Sequence, residues 1–179
     1  MAGWGVAIFR NQEQLEEPNY KLSGPVITAK WEGVYMGAKK HTNNTAELTA
    51  IGEACHWLIT EAEDEPRSHN EIKPKAIIRY DSTYAAKMTT GEWEPETENI
   101  ELIKEVRKQF QLANKERTIK LEWIKGHSGD KGNDWADKLA DRGALGKISP
   151  QSKRWAPPPL GHKTKQIRRR KHAPIVADY

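Results

Sequence analysis

The chain has 179 residues, of which 36% are hydrophobic and 30% charged, and its formal net charge is +4. This length favours one folded domain with a tail, and the composition allows a core beneath a highly charged surface. The apolar runs are too short to span a bilayer, and the first residues lack the basic start of a secretory signal. The single cysteine, Cys55, excludes an internal disulfide and a multi-cysteine zinc site. We therefore expect an intracellular, monomeric protein that does not contact membranes, with nucleus and cytoplasm both open.

The positive charge is concentrated near the end of the chain. Residues 146–179 contain nine Lys or Arg and one acid, so this segment carries +8 and residues 1–145 carry −4. We predict a domain over 1–145 and a basic, proline-containing tail over 146–179 that is largely disordered. The tail is open to interpretation as a solvated linker, as an electrostatic aid to nucleic-acid binding, or, through the basic run 168–171, as a nuclear localisation signal.

The first third of the chain has the pattern of short strands. Gly5–Phe9 predicts a first strand, and a polar turn follows over Asn11–Pro18. Pro25–Thr28 and Val34–Met36 predict two further extended pieces. This part of the domain is therefore expected to be antiparallel.

The period then changes to that of a helix. From Asn44 to about Thr60 apolar residues recur at helical spacing, and Asn44 with Glu47 has the form of a capping box. Glu61–Lys75 is charged and contains two prolines, so we expect a loop.

The second half alternates between strands and helices. Its predicted elements are, in order, a strand over 75–80, a brief helix over 82–88 that Gly91 ends, a helix over 99–113, a strand over 118–124, a glycine-rich loop over 126–132 and a helix over 133–143. A chain that begins with several strands and then alternates between strands and helices is typical of an α/β domain with a mixed β-sheet flanked by helices.

Three acids stand where an α/β sheet usually places its ligand. Asp81 directly follows a hydrophobic strand, while Glu47 and Asp137 lie in the first turns of long helices. Each acid has a purely structural alternative. Glu47 could complete the capping box, Asp137 could pair with a basic neighbour on its own helix, and Asp81 could be a turn residue. Because an acid directly after a buried strand is costly without a partner, Asp81 is the hardest to explain structurally.

The segments around these acids read HTNNTAEL over 41–48, YDSTYA over 80–85, and KGHSG over 125–129 followed by NDWADKLA over 133–140. In that order, and on those elements, they resemble the three successive signatures of the type 1 ribonuclease H family. The similarity covers Gly3 to about Ala144. Each segment alone has low specificity, whereas three in order are specific.

The resemblance implies an endonuclease that hydrolyses the RNA strand of an RNA–DNA hybrid with two Mg²⁺ ions, for which Mn²⁺ can substitute. Glu47, Asp81 and Asp137 would be the metal ligands, and hard carboxylate oxygens suit these cations. Two ions about 4 Å apart can activate a water and stabilise the leaving 3′ oxygen. His127, in a glycine-flanked loop, would assist water delivery or product release; its alternative is a plain surface residue.

The resemblance also assigns seven residues to hybrid binding: Lys40, Thr42, Asn43, Asn44, Ser82, Trp93 and Asn99. Lys40, Thr42 and Asn99 match a pocket for a DNA-strand phosphate, which positions the duplex without reading its sequence. Asn43 and Asn44 match residues that reach the minor groove and the RNA 2′-hydroxyls, which distinguish RNA from DNA.

Two of these assignments have strong structural alternatives. Trp93 matches an aromatic that packs on DNA sugars, but it could be a core tryptophan. Ser82 would donate to a phosphate, but a helix cap alone would explain it. The short stretch between Gly91 and Asn99 leaves no room for the basic protrusion of some family members, so hybrid affinity would depend on the tail or on another domain.

The resemblance further implies that one strand is absent. Family members begin with a strand ending in Asp-Gly-Ser, or similar, before the segment that matches Ala2–Gly5, whereas the first acid here is Glu13. The predicted fold is therefore a ribonuclease H-like mixed sheet without its first, central strand. Each backbone group orphaned by that gap would cost about 1–3 kcal/mol. We expect this chain alone to be inactive or very weak.

Three other interpretations stay open. The chain could be a catalytically inactive module that binds RNA–DNA hybrids, or a fragment of a retroelement polyprotein. It could also be a different nuclease of the same superfold, such as an integrase or a Holliday-junction resolvase, although the Thr-Asn-Asn and Gly-His-Ser-Gly segments argue against that. Binding of two Mn²⁺ ions would separate the nuclease from the inactive module.

Overall fold

The computed structural model describes residues 1–11, 13, 15–64 and 74–155. Their helices and strands are, in chain order, β1 (Gly3–Ile8), β2 (Tyr20–Pro25), α1 (Asn43–Asp64), β3 (Ala76–Tyr80), α2 (Thr83–Thr90), α3 (Ile100–Glu116), β4 (Ile119–Trp123) and α4 (Lys131–Ala144), followed by a 3₁₀ turn over Lys153–Trp155. None of the helices in these ranges is long and apolar enough to cross a membrane.

The strands form two pairs. β1 lies antiparallel to β2, with Gly3 opposite Pro25 and Ile8 opposite Tyr20. β3 lies parallel to β4, with Ala76 opposite Ile119. Within the described ranges β1 and β3 do not pair with each other, and both line one cavity of about 540 Å³. The predicted α/β fold with a mixed arrangement of strands is confirmed.

The two remaining predictions for the first third are wrong. β2 ends at Pro25, where a strand over Pro25–Thr28 was predicted to begin, and Val34–Met36 is a turn followed by irregular chain. Met36 is buried beside Gly52 of α1, and the Tyr35 hydroxyl donates to Glu101 of α3 at 3.2 Å. This segment is therefore held by side-chain contacts with helices, which strand-like alternation of residues cannot reveal.

The core lies between the helices and the strand pairs. Leu48 and Cys55 of α1 pack with Ile103 and Val106 of α3, and all four are fully buried. α4 packs against β1 and β2, and it lies so close to β2 that a Cβ at Gly143 would collide with the β2 backbone. Both α1 and α4 contact β1, and both helices line the cavity.

The chain keeps contact with the fold beyond the domain end predicted at residue 145. Ser149 donates its N–H to the Ser23 carbonyl at 3.0 Å, and the Ser152 hydroxyl accepts from the Ser23 N–H at 3.3 Å. Further on, Arg154 forms an ion pair with Glu53 at 3.2 Å. Residues 156–179, which contain most of the predicted basic tail, lie outside the described residues.

Candidate metal and nucleic-acid site

The three acids singled out in the sequence line the same cavity. Glu47 comes from the second turn of α1, Asp81 follows the last residue of β3, and Asp137 lies on α4. Three distant stretches of chain therefore bring carboxylates to one place, which is the arrangement predicted for them.

The capping box predicted for Asn44 and Glu47 is wrong. The reciprocal pair is Thr42 and Thr45: the Thr42 N–H donates to the Thr45 hydroxyl at 3.0 Å, and the Thr45 N–H donates to the Thr42 hydroxyl at 3.1 Å. α1 begins at Asn43, one residue before the predicted start, and the residue that caps it is Thr42 instead of Asn44. Glu47 thus has no capping role and is left facing the cavity.

The carboxylates influence one another electrostatically. Burial raises the pKa of Glu47 to about 7, and the negative charges of Asp81 and Asp137 add to that rise. Burial also raises the pKa of Asp137, with His127 opposing the rise and Asp81 adding to it. Such mutual repulsion is what a bound divalent cation would relieve.

The loop that carries His127 closes over two of these acids. His127 Nδ1 lies 3.6 Å from an Asp137 carboxylate oxygen, while the imidazole is 89% exposed. The His127 φ of 53° lies in the left-handed region, which only a few non-glycine residues adopt. At Gly126 an added Cβ would lie 2.8 Å from an Asp81 carboxylate oxygen, so glycine there lets the loop approach Asp81.

The donor chemistry suits a hard divalent cation, but the carboxylates do not form a closed shell. Among the residues that the structure describes, no group of three His, Cys, Asp or Glu side chains lies close enough together to hold one metal ion. Glu47, Asp81 and Asp137 are within electrostatic reach of each other. A hard divalent cation that keeps several waters and takes few protein ligands would fit such a site.

The residues predicted to bind a DNA phosphate come from two segments that meet. Lys40 Nζ lies 3.0 Å from a carboxylate oxygen of Glu98, the residue before Asn99. The Asn99 side-chain amide donates to the Tyr84 hydroxyl at 3.1 Å. The loop before α1, which also carries Thr42, is thus tied to the start of α3.

The other predicted contacts differ in how freely they face solvent. Asn43 and Asn44 are exposed in the first turn of α1, one turn before Glu47. Ser82 accepts the Ala85 N–H at 3.2 Å, so its helix-capping role is confirmed. Trp93 is 44% exposed, with the Lys87 ammonium 5.1 Å from its ring centre, and the core-tryptophan alternative is wrong.

Two buried donors beside the cavity were missed in the sequence. Within the described ranges, Arg117 Nε and Asn133 Nδ2 are buried without a hydrogen-bond partner, and both residues line the cavity. The spacing of Asn133 from Asp137, one helical turn, was a signal that the two share a face of α4. No feature of the sequence around Arg117 points to the cavity.

The fold and the site define an α/β protein whose carboxylates, from a strand end and two helices, surround a cavity suited to a cation. Comparison with known proteins gives the family. The family model named RNase H matches residues 3–145. Ribonuclease H of Verminephrobacter eiseniae is 31% identical over 148 residues, covering 81% of this chain and 83% of that protein. The chain belongs to the ribonuclease H family, as its motifs predicted.

Two further relatives carry the same name. Ribonuclease H of Saccharomyces cerevisiae is 31% identical over 146 residues, covering 71% of this chain and 37% of that protein. Ribonuclease H of Orientia tsutsugamushi is 31% identical over 127 residues, covering 63% of this chain and 71% of that protein. Members of the family generally use divalent metal ions.

Glu47→Gln is expected to remove a pH dependence of stability. The pKa of Glu47 rises from 4.5 to about 7 on folding, so its stabilising contribution is complete below pH 4.5 and is lost as the pH rises through 7. That rise corresponds to about 3 kcal/mol. In metal-free buffer at pH 8 the variant should therefore be more stable than the unaltered protein.

Urea unfolding midpoints between pH 4.5 and pH 8.5 would measure this effect. Asp134→Asn, which removes an exposed acid from the first turn of α4, is the matched control and should keep the slope. A Glu47→Gln variant with the unaltered pH slope would contradict the electrostatic account of the site.

Proposed function

We propose that this site hydrolyses the RNA strand of RNA–DNA hybrids. The observation that carries the proposal is the convergence of Glu47, Asp81 and Asp137 on one cavity beside His127. The exposed amides of Asn43 and Asn44 lie one turn before Glu47 on α1, within reach of a substrate bound there. The family assignment agrees with this chemistry.

Glu47, Asp81 and Asp137 would hold Mg²⁺, or Mn²⁺ in its place. Bound there, two such ions would activate a water and stabilise the leaving 3′ oxygen. Glu47 must give up its proton to bind a cation, and because its pKa without metal is raised to about 7, cation binding should weaken as the pH falls below neutral. His127, whose imidazole is 89% exposed and has Nδ1 3.6 Å from an Asp137 carboxylate oxygen, would assist water delivery or product release.

The surrounding residues would determine substrate specificity and position the hybrid. Asn43 and Asn44 would donate to base edges and 2′-hydroxyls in the minor groove, which favours an RNA strand. Lys40, Thr42 and Asn99 would hold a phosphate of the DNA strand, and the Lys40–Glu98 ion pair must open for that contact. Two remaining proposed contacts complete the set: Ser82 with a phosphate and Trp93 with DNA sugars.

The rate of this chain should be low. Within the described residues no three His, Cys, Asp or Glu side chains form a group that could hold one metal ion, and the two strand pairs are not joined. An incomplete ligand set would favour a second candidate function, which is binding of RNA–DNA hybrids without cleavage.

A cleavage assay on end-labelled duplexes tests the proposal. With excess protein and Mn²⁺, we expect cuts in the RNA strand of a hybrid, leaving 5′ phosphates, and none in duplex RNA or duplex DNA. The rate should be roughly 100-fold or more below that of the Verminephrobacter eiseniae protein, which corresponds to about 2.7 kcal/mol of lost transition-state stabilisation. Tight hybrid binding with no cleavage would establish the second candidate, and cleavage of every duplex would contradict both.

A further inference from the structure

Trp31 is the most exposed large hydrophobic side chain in the described part of the chain, with 84% of its surface accessible to solvent. It lies in a turn that two backbone hydrogen bonds close: the Glu32 N–H donates to the Ala29 carbonyl at 3.1 Å, and the Tyr35 N–H donates to the Glu32 carbonyl at 3.0 Å. One exposed apolar side chain is ordinary on a protein surface, so the neighbours of Trp31 decide what it could bind.

Two exposed lysines meet beside this turn. Lys30, which precedes Trp31, has its Nζ 3.6 Å from a carboxylate oxygen of Glu101 on α3, and Lys39 Nζ lies 3.4 Å from the same oxygen. Because both distances end on one atom, the two ammonium groups are no more than about 7 Å apart. The fold therefore groups one exposed indole with two cations, and we call Lys30, Trp31 and Lys39 the Trp31 surface.

The Trp31 surface adjoins the pocket proposed for a DNA phosphate. Lys39 directly precedes Lys40 of that pocket, and Glu101, which pairs with both lysines of the Trp31 surface, lies two residues beyond Asn99. The ion pair between Lys40 and Glu98 joins the same two segments of chain. A DNA strand held in the pocket would therefore pass next to Lys39 on one side.

Net charge alone would not make this surface bind nucleic acid. Glu101 balances part of the charge of the two lysines, and Glu32, exposed beside Trp31, adds a second acid. Exposed ion pairs contribute little to stability, so a phosphate can replace the Glu101 carboxylate at small cost. The indole would then supply most of the affinity, with the lysines contacting the backbone.

An aromatic side chain between cations suits unpaired bases better than paired ones. In a duplex the faces of the bases are covered by their neighbours, whereas an unpaired base can stack on an indole while its phosphates contact lysines. We propose that Lys30, Trp31 and Lys39 bind an unpaired stretch of the DNA strand that continues beyond the hybrid. This inference rests on the proposed function, because the DNA-phosphate pocket is what directs that strand toward Trp31.

Binding of hybrids with and without an overhang tests the proposal. The probes are a blunt RNA–DNA hybrid and the same hybrid with roughly four unpaired thymidines at the 5′ or at the 3′ end of the DNA strand. Fluorescence anisotropy in chelator measures their affinities without cleavage. We expect one of the two overhangs to tighten binding about fivefold or more, since stacking on a single base contributes at least that factor.

Variants of the Trp31 surface separate stacking from charge. Trp31→Leu should reduce the gain from the overhang to less than about twofold, while Trp31→Phe, which keeps an aromatic face, should retain most of it. Leu145→Ala, which shortens another apolar side chain that is 74% exposed, should keep the full gain. Lys39→Gln should flatten the salt dependence of overhang binding by about 0.7 in log–log slope, and Lys108→Gln, at an exposed lysine paired with an acid on α3, should not.

Each contrary result has a distinct meaning. If the blunt hybrid binds and neither overhang adds affinity, the proposal is overturned and the proposed function stands. A gain that Trp31→Leu retains also overturns it, as does an equal loss for blunt and overhanging hybrids, which would show that Trp31 contacts the duplex. If the blunt hybrid does not bind at all, the proposed function fails and the Trp31 surface loses its argument with it.

Discussion

Arg154→Ala is expected to lower the free energy of unfolding by about 3–5 kcal/mol, because it leaves a buried carboxylate without its partner. Glu53 is 3% exposed, and one of its oxygens lies 3.2 Å from Arg154 Nη1 and 3.4 Å from Trp155 Nε1. Burial raises the pKa of Glu53, and Arg154 and Trp155 oppose that rise. Arg154 also donates to the Val34 carbonyl at 3.1 Å, so its loss frees the loop before α1.

Urea unfolding of the Arg154→Ala variant at pH 7 measures the loss. The double variant Glu53→Gln, Arg154→Ala is the matched control, and it should be less destabilised because an amide carries no buried charge. A loss below about 1 kcal/mol for Arg154→Ala would show that the ion pair is dispensable. The expected result would establish that residues 146–155 belong to the folded domain.

The second half of the fold follows from local sequence. Strand and helix periods alternate clearly there, and the structure confirms α2, α3, α4, β3 and β4 within a few residues of their predicted bounds. Gly91, predicted to end α2, has a φ of 83° and donates its N–H to the Lys87 carbonyl. These elements could be predicted because capping and apolar spacing act over a few residues.

The first third depends on contacts that local sequence does not contain. β2 has little apolar alternation, and its Ser23 backbone accepts a hydrogen bond from the Ser149 N–H and donates one to the Ser152 hydroxyl, more than 120 residues away in the chain. The Glu53–Arg154 pair joins residues 101 positions apart. For the site, the motifs predicted which acids converge, but the distances between them depend on how α1, β3 and α4 pack together, which no short motif encodes.

Asp81→Asn is expected to reduce RNA-strand cleavage by roughly 100-fold or more while leaving hybrid binding intact. An amide cannot replace a carboxylate as a ligand for a hard cation without losing charge, and bound metal supplies several kcal/mol of transition-state stabilisation. Single-turnover cleavage of a labelled hybrid with Mn²⁺ and excess protein would resolve the loss even from a slow starting rate. Asp134→Asn, an equal change of charge at an exposed position on α4, should cleave like the unaltered chain.

The same substitution should stabilise the protein when metal is absent. The charge of Asp81 helps to raise the pKa of both Glu47 and Asp137, so removing it lets them ionise with less repulsion at pH 8. A thermal midpoint measured in chelator should therefore rise for Asp81→Asn. If Asp81 served only the fold, replacing it would destabilise the protein. A variant that is more stable but inactive would therefore show that Asp81 is a metal ligand and not a structural acid. Full cleavage by Asp81→Asn would contradict the proposed metal site, since no other residue that the structure describes stands at the end of β3 facing Glu47 and Asp137.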